Sequence, residues 1–187
     1  VAFRAPSAFR GVLDQPASVD IAVERGGRIT LEAGLRMDIE GRLEAPGGTI
    51  AAAVGRRPGS GSEYRGFRGN QGLYVGPGAS VSVDGVDATW RDSAGRINGS
   101  VLAGGTISFD AWDGYLVLDT GSRFSARGTS GTLLARPIDT PDAAPTERSV
   151  PSDGGSVRFS ATNGGALAPR VDVSAGGAGA ANGTLEI

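Results

Sequence analysis

The chain has 187 residues with a formal net charge of −2, and all 18 of its basic residues are Arg. With no Cys, His or Lys, it has no disulfide framework, thiol nucleophile, Ser-His-Asp triad, His-based metal site or Schiff-base lysine. The near-neutral charge does not favour a nucleic-acid partner, and no apolar run is long enough for a membrane-spanning helix.

Gly accounts for 32 residues and aromatics for only 6%, yet the apolar residues fall in short alternating runs that a disordered chain has no reason to show. In chain order, one motif recurs: a small-residue corner, a polar residue, then alternating apolar positions. It appears as Gly26-Gly27-Arg28-Ile29-Thr30-Leu31, then as Gly47-Gly48-Thr49-Ile50. It returns as Gly104-Gly105-Thr106-Ile107-Ser108-Phe109 and Gly154-Gly155-Ser156-Val157-Arg158-Phe159, and a weaker copy, Asn182-Gly183-Thr184-Leu185, closes the chain. A second motif, apolar-polar-apolar before Gly, follows most copies, as in Met37-Asp38-Ile39-Glu40-Gly41 and Val81-Ser82-Val83-Asp84-Gly85.

Gly26 and Gly47 are 21 residues apart, and Gly154 and Gly176 are 22 apart. The gaps of 57 after Gly47 and 50 after Gly104 are expected to hold two coils each, plus insertions. A period near 20 residues with several short strands per repeat predicts an all-β chain, a β-solenoid whose coils stack about 4.8 Å apart over a shared apolar interior. Glycines at the corners are expected to supply positive φ. Two stretches break the pattern. Residues 55–72 are Gly- and Arg-rich, and residues 136–153 carry Pro at 137, 141, 145 and 151, which excludes a central strand. Both are expected as loop insertions within a single unit spanning residues 1–187.

Residues 26–50, 73–85 and 101–128 resemble the filamentous haemagglutinin family of two-partner secretion exoproteins, which writes the same grammar of Gly-Gly corner, T-I-x-L strand and apolar-x-apolar-x-Gly strand. The resemblance implies a right-handed parallel β-helix in a large, Cys-poor protein. Such a protein is exported by an outer-membrane transporter partner to the exterior of a Gram-negative cell, as an adhesin, a biofilm component or a toxin-carrying stalk. This chain would then be an internal piece of it.

Candidate chemistry is sparse. Arg56, Arg57, Tyr64, Arg65, Phe67 and Arg68 make a basic, aromatic loop that could contact an anionic surface glycan or receptor. Asp110, Asp113 and Asp119, with Trp112, are the best carboxylate cluster for a tailspike-like hydrolase or a lyase, the alternative reading. Asp residues at strand ends ordinarily face solvent, so a non-catalytic role is preferred. Trp90 and Trp112 are read first as packing residues and second as sugar platforms. Gly176-Gly177-Ala178-Gly179-Ala180-Ala181 lacks the Asp of a calcium-binding nonapeptide, so neither a metal nor a cofactor is expected.

Overall fold

A computed structural model describes residues 1–5, 11–55, 69–112, 114–135 and 144–187. Among these residues every regular element is a strand and none is a helix. The strands come in successive tiers of three. The first tier is β1 (Ala2–Ala5), β2 (Val12–Gln15) and β3 (Asp20–Ala22), and the second is β4 (Arg28–Ala33), β5 (Arg36–Ile39) and β6 (Arg42–Glu44). The third is β7 (Thr49–Val54), β8 (Gly72–Val75) and β9 (Ser80–Ser82). A hairpin of β10 (Val86–Arg91) and β11 (Ile97–Leu102) then precedes the fourth tier, β12 (Thr106–Ala111), β13 (Tyr115–Leu118) and β14 (Arg123–Ser125). A second hairpin, β15 (Ser130–Ala135) with β16 (Thr146–Pro151), precedes the fifth tier, β17 (Ser156–Ala161), β18 (Gly165–Leu167) and β19 (Arg170–Asp172). β20 (Thr184–Glu186) follows.

Each tier gives one strand to each of three parallel sheets, ordered β1-β4-β7-β12-β17-β20, β2-β5-β8-β13-β18 and β3-β6-β9-β14-β19. Alternation along each strand decides which side chains turn inward. β4 and β7 bury every second residue, and register carries that choice from tier to tier. Ile29, Ile50, Ile107, Val157 and Leu185 form one column of the first sheet. Leu13, Met37, Leu73 and Leu116 form one in the second, and Ile21, Leu43, Val81, Phe124 and Val171 one in the third. These columns meet in one continuous core in which Ile29, Met37, Leu43, Ile50 and Phe109 have no exposed surface. Burying each such side chain contributes about 1.5–3 kcal/mol. The parallel, tiered arrangement is compatible with a β-solenoid.

Two expectations are corrected. The long gaps each hold one tier, not two, because β7 pairs directly with β12 and β12 with β17. Much of the surplus chain leaves the stack as the two hairpins. The corner glycines also act differently from expectation. Gly26 and Gly47 do have positive φ, but Gly104, Gly105, Gly154 and Gly155 do not. Their constraint is close stacking. A Cβ built on Gly48, Gly105, Gly155 or Gly183 would collide with the carbonyl oxygen of the glycine one tier away: Gly27, Gly48, Gly105 and Gly155 respectively.

Candidate functional site: a two-hairpin arm at one corner

The corner joining the third sheet to the first is closed the same way in successive tiers. The N–H of Gly48 donates to the Ala45 carbonyl (2.8 Å), Gly105 to Val83 (2.8 Å), Gly155 to Ala126 (2.6 Å) and Gly183 to Val173 (2.7 Å). Ala45 and Gly48 belong to a short turn. Val83 and Gly105 bracket the first hairpin, and Ala126 and Gly155 bracket the second. Both hairpins therefore emerge from inside the same repeated hydrogen-bonded corner, at adjacent tiers.

Their roots are tied together by polar groups. Asp84 accepts from the Arg127 backbone N–H (2.8 Å), from Arg127 Nη2 (2.8 Å) and Nε (3.2 Å), and from the Ser125 hydroxyl. Burial pushes the Asp84 carboxyl up, but the Arg127 and Ser125 hydrogen bonds outweigh it and hold the group below its ordinary value. The buried Ser152 hydroxyl lies 3.1 Å from the carbonyl oxygens of both Leu102 and Thr129 and accepts the Thr129 N–H at 2.9 Å.

Farther out, the hairpins pack side by side. Gly131 lies so close to Asp87 and Val101 that a Cβ there would come within 2.8 Å of the Val101 side chain. Arg91 grips Glu147 with Nη1 to Oε1 at 2.8 Å and Nη2 to Oε2 at 2.9 Å, a two-point contact that keeps the Glu147 carboxyl below its ordinary range. The residues meeting the second hairpin, Asp87, Arg91 and Val101, share one face of the first.

The other face carries Val86, Ala88, Trp90 and Asp92 opposite Leu102, Ser100, Asn98 and Arg96, because directly opposed residues of an antiparallel pair point the same way. At the tip, Asp92 Oδ1 accepts the N–H groups of Ala94 and Arg96, both at 2.9 Å, and Oδ2 faces Arg96 Nε at 2.9 Å. The Arg96 backbone hydrogen bond leads the contacts that lower the Asp92 carboxyl. Asn98 Nδ2 donates to the Arg96 carbonyl at 3.1 Å. Trp90 is 58% exposed.

The residues expected to form a contact loop, Arg56, Arg57, Tyr64, Arg65, Phe67 and Arg68, lie outside the described residues, as does Asp113. Asp110 is nearly buried on β12 and meets Arg158 Nη2 at 3.1 Å. Asp119 lies exposed beyond β13, where its backbone carbonyl accepts the Ser122 hydroxyl at 2.7 Å. The four residues of β13, roughly 13 Å of extended chain, separate these two carboxylates along the tier. The structure thus does not bring them together. Trp112 sits half-buried at the next corner, where its backbone N–H donates to the Val54 carbonyl at 3.0 Å. Among the described residues no group of three or more His, Cys, Asp or Glu is placed to hold a metal, and no helix is long and apolar enough to cross a membrane.

Reading the sequence missed the first hairpin and its packing against the second, whose β16 lies within the 136–153 stretch expected to leave the stack. A signal was present: two six-residue runs, Val86–Arg91 and Ile97–Leu102, flank the turn-forming Asp92-Ser93-Ala94-Gly95. No protein-family model, curated protein or solved structure matches the chain.

Proposed function

We propose that the chain is a right-handed parallel β-helix that works as a rod, holding contact surfaces away from the body to which it is attached. We place it among the filamentous haemagglutinin-like two-partner secretion exoproteins. In that reading it is a structural and adhesive, non-catalytic part of a large secreted bacterial surface protein, passed outward by an outer-membrane transporter.

The observation that supports the reading best is that five successive tiers each give one strand to each of three parallel sheets, with apolar columns in register. Such stacking makes stability a sum of neighbour contacts along one axis, so length can grow without changing the cross-section. A surface stalk needs that property. The corner that accommodates insertions without altering the tiers also suits a scaffold that displays side elements.

Labelling intact cells of the source organism with an antibody raised against this chain tests the proposal. Surface labelling that is removed by external protease, and lost when the transporter is deleted, is expected. Detection only after cell lysis would overturn it.

A further inference from the structure

We infer that the free face of the β10–β11 hairpin, centred on Trp90, is a binding platform for a neutral carbohydrate. The inference rests on the display reading and names the kind of partner displayed to.

The large hydrophobic side chains left exposed fall into two groups. Val1, Phe3, Val12 and Val19 belong to the first tier, and Leu167, Leu185 and Ile187 to the last strands. These residues have a stacked neighbour on one side only, and Val12 also lies in the outward phase of β2, next to the inward Leu13, so their exposure follows from position. Trp90, at 58%, and Leu134, at 44%, do not share that reason, and both lie on the arm. The arm itself does not build the core: its corner closes with the same hydrogen bond where no hairpin is present. An indole held in solvent on such an element is not accounted for by packing.

The surroundings of Trp90 select the ligand chemistry. The amide of Asn98 lies directly across the ladder, with the Ser100 hydroxyl next along the same strand and face. Asn98 is fixed by its bond to the Arg96 carbonyl, and Arg96 is fixed by Asp92, so the polar edge is held in place before any ligand arrives. A pyranose ring has an apolar C–H face for the indole and equatorial hydroxyls that need donors and acceptors at its rim. Asp92 and Arg96 neutralise each other, which leaves no net charge to select an anionic polymer. Beside Trp90 this face offers Ala88, Asn98 and Ser100 and no second exposed large apolar side chain; Val86 and Leu102, at its root, are partly buried, with Leu102 against Gly47 of the preceding corner. A stable protein partner, which covers about 800 Å² per side around a buried cluster, is poorly served there.

The test uses the complete chain on a printed array of neutral, sialylated and sulfated oligosaccharides, followed by calorimetric titration with lactose, maltotriose and a mannotriose. Retention of neutral oligosaccharides is expected, with saturable binding of at least one titrated sugar that persists in high salt. Trp90→Ala should weaken it about tenfold or more, as for a central aromatic anchor. Asn98→Ala should weaken it severalfold, and both variants should keep the parental melting temperature. Failure to bind any neutral sugar, or undiminished binding by Trp90→Ala, overturns the inference. So does binding confined to sulfated or sialylated glycans and erased by salt. None of these results bears on whether intact cells expose the chain, so this inference and the surface-rod proposal fail separately.

Discussion

Phe109 and Phe124 meet edge to face, with ring centroids 5.3 Å apart and planes at 82°, although they stand on different sheets of the same tier. Phe159, one tier on, joins both, at 6.4 Å from Phe109 and 4.9 Å from Phe124. The three rings cross-link the first and third sheets through the interior, where edge-to-face pairs add about 0.5–1.5 kcal/mol beyond area burial.

Phe124→Ala removes the ring common to the two shorter contacts and leaves a void in a fully enclosed site. A loss of about 3–5 kcal/mol of unfolding free energy is expected, read from the shift in urea midpoint at constant slope. A shift worth under about 1 kcal/mol would mean that the core closes over the gap and that the cluster does not hold the two sheets together.

Excising residues 86–104 should leave the stack folded. The resulting corner, Val83-Asp84-Gly85-Gly105-Thr106, has the same length and glycine placement as the natural Ala45-Pro46-Gly47-Gly48-Thr49 corner. The expected product keeps its β-sheet circular dichroism and unfolds cooperatively. Amide exchange should quicken in residues 130–135 and 146–151, which lose Asp87, Arg91 and Val101 as neighbours. A variant that is unfolded or collapses into aggregates would show that the arm is part of the fold.

Asp84 links stability to acid. Its carboxyl is held below the ordinary 3.8 in the folded chain, so its contribution is complete above that value and drains away as pH falls through the depressed one. Asp84→Asn is expected to cost about 1.5–3 kcal/mol at neutral pH, the scale of hydrogen bonds to a charged group. It should also flatten the decline of stability below about pH 4. Asp172, lowered chiefly by the Ser174 side chain, remains in the variant, so the decline is reduced and not abolished. Parallel pH–stability curves for the two proteins would refute this role.

The tiers were legible because their cause is local. Thr49-Ile50-Ala51-Ala52 and Thr106-Ile107-Ser108-Phe109 alternate in the same phase after the same Gly-Gly pair, and that phase alone decides which side chains face inward. The number of tiers was misjudged because chain length does not reveal whether extra residues stay in the stack or leave it. The packing of the two hairpins against each other escaped notice for a related reason. Arg91 and Glu147, 56 residues apart, take their meaning from each other, and Arg91 finds Glu147 only after two corners have been superposed.

Composition and alternation by themselves determined an all-β chain without thiol or imidazole chemistry, built from stacked short strands around an apolar interior. Those properties follow from what each residue prefers beside its immediate neighbours. Only the tertiary structure decided that consecutive repeats stack directly, that the second corner glycine is required by the carbonyl of the adjoining tier, and that two hairpins share one corner and present Trp90. Each of these is set by the few ångströms between tiers, a distance that exists only once the coils are laid over one another.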